Sequence, residues 1–170
     1  MREVTPITAP IDPETLDVPC ARTERELPPD AFDRHEASAG VAVVGVTNDR
    51  GDVLLIRNTG DGPDGWLLPY GHVEDEGWIE TAVDWIDGLT GIVPEIETVL
   101  FVRENHLVAP DGRETTTHHV VFTATPAADS TPDGDVRYDC ANDWTADWHT
   151  TVPENADGET RDDIERVLDQ

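Results

Sequence analysis

Carboxylates crowd the stretch between residues 74 and 87. Glu74, Asp75 and Glu76 come in a row, and Glu80, Asp84 and Asp87 follow at i, i+4 and i+7. On a helix that second spacing puts three acids on one face. Such a face can hold Mg²⁺, a hard cation that takes oxygen ligands and keeps some of its waters. Acids on an exposed face are also what any very acidic chain shows, so spacing alone leaves both readings open. Just upstream, Gly71 closes the run "WLLPYG". A glycine there lets a backbone come close to a phosphate. His72 follows it and either donates a hydrogen bond to such a phosphate or stands exposed in the loop.

The elements that must position these residues are legible around them. Trp78, Ala82, Trp85, Ile86 and Leu89 supply apolar surface to a helix over the stretch. Gly91 suits a left-handed cap, and Pro94 prevents continuation. Upstream, "GVAVVGVTNDRGDVLLIRN" reads as a hairpin whose apolar runs, Val41 to Val46 and Val53 to Ile56, flank a polar turn. "WLLPYG" reads as a short buried strand that ends at Pro69. "EIETVLFVREN" is a strand, and "HLVAPDGRETTTHHVVFTATP" a second hairpin turning near "PDGR". His118 and His119 are adjacent in a strand, so at most one of them faces any cleft. "AADSTPDGDVRYDCAND" reads as an acidic loop and "WTADWHTTVPEN" as a strand end and turn. "ETRDDIERVLDQ" is a terminal helix with Ile164, Val167 and Leu168 on one face. Residues 1–37 form a Pro- and acid-rich extension without evident chemistry, and residues 38–170 form the domain. The fold class expected is α+β, a mixed sheet covered by helices.

Composition narrows the function classes. The chain has 170 residues, with 37 acidic against 11 basic, a net charge of -26. Every basic residue is arginine. Self-repulsion of this size is relieved by strong salt, where the Debye length falls to about 3 Å at 1 M. The composition is that expected of a cytoplasmic protein from a salt-accumulating cell. It argues against general binding of nucleic-acid backbones, which needs clustered cations. No run reaches the length of a membrane span, and the N-terminus has no signal-peptide pattern. Cys20 and Cys140 are in no metal-type pairing, and buried free thiols are expected.

The loop and helix together resemble the Nudix hydrolase family. Its signature runs Gly, five residues, Glu, seven residues, then Arg-Glu-apolar-x-Glu-Glu-x-Gly-apolar. "WLLPYGHVE" is similar to the family's strand and loop, "HHVVFTATP" to its later strand, and "WTADWHTTVPEN" to its late turn before a final helix. The resemblance spans about residues 38–170 and implies a Nudix-type mixed β-sheet sandwiched between helices.

What the resemblance implies about chemistry depends on register. Shortening the loop by one residue puts Glu76 on the first signature Glu, Ile86 on the apolar position and Gly91-Ile92 on the closing pair. Asp84 then stands where the family has Arg. Trp85, Gly88 and Leu89 stand where it has the three glutamates that hold the metal. Family members are thought to cleave diphosphates through water activated on Mg²⁺, with Mn²⁺ as a substitute. Trp85 and Leu89 cannot bind a hard cation, and Gly88 has no side chain. Three functions stand. The first is a cleft for a nucleoside-diphosphate-type ligand without standard hydrolysis. The second is an active hydrolase of a nucleoside diphosphate linked to another moiety. It would use a relocated metal site of Glu74, Glu76 and Glu80, with Glu76 and Glu80 catalytic, and Glu104 and Glu114 lie where relatives sometimes supply another acid. The third is a scaffold or regulatory domain that binds a protein. The resemblance also directs Arg57 and Arg103 toward the cleft, where each either grips phosphate in a bidentate fork or pairs with one of the many acids. Gly71 and His72 complete the expected ligand set. Tyr70 and Trp66 are candidates to stack on a base, with Trp66 favoured as core, and Trp144 and Trp148 are expected to pack. The ligand expected is a nucleotide-like small molecule. Many relatives form a homodimer through N-terminal segments, although residues 1–37 carry no periodic apolar stripe.

Overall fold

The computed structural model describes residues 18–36, 40–58, 65–73, 77–127, 138–140, 144–154, 156 and 158–169. Among the described residues, nine strands and three helices run β1 (Cys20–Glu26), α1 (Pro29–Glu36), β2 (Gly40–Val46), β3 (Val53–Asn58), β4 (Trp66–Leu67), β5 (Tyr70–Val73), α2 (Trp78–Thr90), β6 (Pro94–Val108), β7 (Glu114–Pro126), β8 (Tyr138–Cys140), β9 (Trp144–His149) and α3 (Gly158–Leu168). Two sheets result. One has the order β1-β6-β7-β2-β5 and the other β4-β3-β9-β8. The first is mixed: β1 with β6 and β2 with β7 are parallel, and the other pairs are antiparallel. The expected α+β class with a mixed sheet and covering helices is the one found.

Side-chain alternation distributes the core. On β2, Ala42, Val44 and Val46 join Trp78, Ala82 and Ile86 of α2 in one buried cluster. The spacing i, i+4, i+8 puts those three α2 residues on one stripe. Val53 and Leu55 of β3 instead pack with Ile164 and Val167 of α3, and Val43 flanks that second cluster. Ile164 and Val167 thus share a buried face, as their spacing predicts.

Three expectations need correction. The runs 41–46 and 53–56 are not a paired hairpin. Beyond a bridge from Thr47 to Val53 the two strands part into different sheets. The strand in "WLLPYG" ends at Leu67, before Pro69. Leu68 and Pro69 separate β4 from β5, and the two belong to different sheets. Proline offers no N–H to a ladder, which suits it to that crossing. Cys20 lies exposed on β1 rather than buried; the Cys140 side chain is outside the described residues. The second hairpin does form, from β6 and β7, and it bulges between Ile96 and Thr98 and between Val99 and Phe101.

The N-terminal extension is part of the architecture from residue 18 onward. β1 forms the edge of the mixed sheet along β6. α1 begins on Pro29, whose missing N–H needs no partner in a first turn. Asp30 sits in that first turn, and Arg34 and His35 in the last, as the helix dipole favours. Phe32 anchors it by packing, fully buried, with Leu107 and Ala109. No helix among the described residues is long and apolar enough to cross a membrane.

Candidate functional site

A cavity of about 340 Å³ opens on the side of the mixed sheet away from α2. Val41 and Val43 of β2 floor it, and Leu67 and Leu68 close it from the end of β4. Tyr70 and His72, alternate residues of β5, point into it, as does His119 of β7. α3 contributes Thr160 and Asp163, β6 contributes Arg103, and α1 contributes His35. The result is an apolar body with a polar rim and one buried charged pair. That is the general make-up of a small-molecule pocket, and the size is at the low end for one.

The charged pair is Arg103 with Asp163. Both are buried, Arg103 at 4% exposure. The two guanidinium nitrogens of Arg103 donate to the two carboxylate oxygens of Asp163 at 3.1 and 3.3 Å. Arg166, one turn along α3, also donates to Asp163 at 3.4 Å. Arg103 therefore pairs with an acid in this structure, and it does so in the cavity wall.

Imidazoles mark the mouth. The His35 and His72 rings are 6.3 Å apart, and Tyr70 is 6.2 Å from His72, both in edge-on geometry. Burial holds His35 below its ordinary value, and the charges of His72, Arg34 and Arg25 add to that. His72 itself is exposed.

The remaining expected residues separate from this group. Gly71 and Val73 face the opposite side of β5, toward α2. Gly71 is buried because the Trp85 indole lies on its α-carbon, and a Cβ added there would clash with that ring. Trp85 remains 45% exposed on its outer side. Glu80 is exposed in the first turn of α2. Gly88 is exposed too, with open space where a side chain would project. Arg57 is half-buried on β3 and lies 6.0 Å over Trp66, so it belongs to the second sheet and does not line the cavity. Of the four expected ligand residues, His72 and Arg103 meet there; Gly71 and Arg57 do not. Of the two histidines of β7, His119 reaches the cavity, in keeping with their alternation. Trp66 packs half-buried against the core and edge-on to His149 at 4.5 Å. Trp148 also packs on the core. Glu74 and Glu76, like the side chains of Leu89 and Trp144, lie outside the described residues. Glu114 sits at an exposed strand start beside His106, and Glu104 pairs with Arg22 at 2.9 Å.

The C-terminal cap of α2 forms at Gly91, as the sequence predicts. Gly91 adopts φ 77 and donates its N–H to the Asp87 carbonyl at 2.8 Å. Thr90 donates to the Ile86 carbonyl and accepts from the Ile92 N–H. With that register, α2 offers no oxygen at Trp85 or Gly88. Among the described residues, no three His, Cys, Asp or Glu side chains gather as a metal site.

His35, Thr160 and Asp163 were not singled out by sequence. A signal for α1 existed in Pro29, Asp30, Arg34 and His35, which read as start and stop of a helix. Nothing local announces that this helix reaches β5, or that Asp163 would find Arg103 sixty residues away.

Two sheets, a helix after a glycine-containing edge strand and a pocket across the mixed sheet define a Nudix-type fold. The family model for the NUDIX domain matches residues 37–162. The chain belongs to the NUDIX domain family. A NUDIX hydrolase from Nitrosomonas europaea shares the fold at a TM-score of 0.52 and 18% identity, over 76% of this chain and 70% of that one. An ADP-ribose pyrophosphatase from Streptococcus suis matches at 13% identity over 76% and 88% of the two chains, with a TM-score of 0.47. A MutT protein from Methanosarcina mazei matches at 17% identity over 90% and 96%, with a TM-score of 0.49. Comparison with curated proteins gives no match.

Proposed function

We propose that this NUDIX-domain protein binds a nucleotide-type small molecule in the cavity between the mixed sheet and α3, and that it does not hydrolyse it on α2. The observation that carries this reading is the seat of Trp85. Its indole covers Gly71 at the helix position where the resemblance expects a metal-binding glutamate. Gly88, one turn on, offers no side chain in place of a second. A divalent ion is the usual means of neutralising charge on a diphosphate under attack. Without carboxylates at positions 85 and 88 that ion lacks the seat the resemblance expects on α2. The pocket is separate from this loss, because Tyr70, His72, Arg103, His119 and Asp163 stand on other elements and survive it.

The test combines binding with turnover. ADP-ribose and the nucleoside diphosphates are expected to raise the melting temperature by mass action, equally in EDTA and in Mg²⁺, with no product released. Mg²⁺-dependent cleavage that disappears in Glu76→Gln would favour the relocated site of Glu74, Glu76 and Glu80. Absence of any thermal shift across the panel would instead favour a protein-binding domain.

A further inference from the structure

The charge in the cavity wall is already matched. Among the described residues that line it, Arg103 carries the one guanidinium and Asp163 the one carboxylate. Each is turned to the other. Both terminal nitrogens of Arg103 donate to the two Asp163 oxygens, at 3.1 and 3.3 Å, and Arg166 shares one of those oxygens at 3.4 Å. Phe101, two residues before Arg103 on β6, holds the same cluster through its ring. The ring centre lies 5.3 Å from the Arg103 guanidinium carbon and 3.8 Å from that of Arg166. Arg103, Asp163 and Phe101 are all buried. Turning Arg103 onto a ligand anion would part a buried ion pair, and that is costly.

The rest of the described lining offers shape and hydrogen bonds. Val41, Val43, Leu67 and Leu68 are aliphatic. Tyr70, Thr160 and three imidazoles supply donors and acceptors. A volume of about 340 Å³ suits one nucleoside unit. An anionic ring that entered this space would lose its hydration and gain no guanidinium in return, whereas an uncharged ring loses much less.

We propose that the cavity selects an uncharged nucleoside unit over an anionic one, and that Asp163 is the specificity-determining residue because it keeps Arg103 from any ligand anion. The inference rests on the nucleotide-pocket reading above. It adds which part of the ligand the cavity holds: a base and its sugar, with no anionic group buried beside β6 and α3. Selection of this kind works against the wrong ligand rather than for the right one.

Calorimetric titration of the full chain tests it with two pairs of nucleosides, inosine against xanthosine and uridine against orotidine. At pH 8.0 the second of each pair is negative on its base, so the charge has to enter with the ring. That pH is above the ordinary imidazole range near ~6.5. EDTA excludes metals, and the salt is one in which the protein melts cooperatively. In wild type, inosine or uridine is expected to bind at least about tenfold more tightly than its anionic counterpart. Asp163→Asn keeps the side-chain shape and removes its charge, which moves the wall toward positive. It should shrink that ratio about tenfold, by raising affinity for the anion. Asp162→Asn, at an exposed position of the same helix, should leave the ratio within about twofold. An anionic nucleoside that binds wild type as well as its neutral partner overturns the inference and leaves the pocket reading standing. A ratio unchanged in Asp163→Asn overturns it too, since shape alone would then make the distinction. If no nucleoside binds and ADP-ribose does, the inference falls and the pocket reading stands; if ADP-ribose also fails, both fall. Should Asp163→Asn not fold, the wild-type ratio decides alone, and a ratio below about threefold overturns the inference.

Discussion

Trp85 and Gly71 make contact that neither residue explains alone. The indole needs a surface without a side chain, and Gly71 provides it. We expect Gly71→Ala to cost about 1–3 kcal/mol, the usual range for forcing extra volume into a packed site. Trp85→Ala should relieve most of that cost, so chemical denaturation of the two single variants and the double variant will give a coupling term. Gly88 carries the opposite expectation. It is exposed, and a Cβ there meets nothing. Gly88→Ala should therefore stabilise the protein by up to about 1 kcal/mol, the helix-propensity difference, read as a rise in the denaturation midpoint. Gly71 reads as a close approach for a phosphate, and Gly88 was legible in the sequence once Gly91 fixed the helix register. The contact partner of Gly71 was not, because strand alternation says which residues share a face and not what covers it. Arg103 shows the same limit. An arginine among many acids was expected to find one or to grip phosphate, yet only the fold selects Asp163. Removing one partner of such a buried pair typically costs about 3–5 kcal/mol. Asp163→Ala should show a loss of that size by urea denaturation, and Arg103→Met with Asp163→Leu should recover much of it.

At the scale of elements, the strands were easier to see than their partners. The valine runs of β2 and β3 declare two strands, and a short polar turn suggests that they pair. Their separation into different sheets depends on which faces α2 and α3 cover, and no local residue carries that information. β1 was hidden for another reason. "CARTERE" has no apolar alternation, since it lies at a sheet edge with most of its side chains in water. α1 is short and mainly polar, and it docks through Phe32. If that docking positions His35, Phe32→Ala should do more than destabilise by the roughly 3–5 kcal/mol of a lost buried aromatic. Hydrogen exchange should show β1 and α1 losing protection well before β2 and β7. An even loss across the chain would mean that the segment is fused to the core rather than docked on it.

The whole molecule is governed by its charge. With 37 acids against 11 arginines, we propose a protein built for high salt. Its melting temperature should climb steeply between 0.1 and 2 M KCl as screening shortens. The histidines add a pH term of definite sign. Burial lowers His35, helped by His72, Arg34 and Arg25. Burial also lowers His149, with Asp147 opposing, and the His149 Nε2 is buried without a hydrogen-bond partner among the described residues. In the unfolded chain each takes up a proton near pH ~6.5, before the folded form does. Their contribution is therefore complete above that pH and is lost as pH falls through the lower folded values. Melting temperatures of the wild type should drop from pH 7 to 5.5, and His149→Gln should reduce the drop.

The central claim is that this NUDIX domain holds a nucleotide without cleaving it. A ³¹P NMR time course tests it most directly, with ADP-ribose, Mg²⁺ and protein in excess over ligand. The account predicts that the diphosphate resonances shift or broaden on addition of protein and then persist unchanged. Their replacement by two phosphomonoester resonances, in wild type and not in Glu76→Gln, would contradict it.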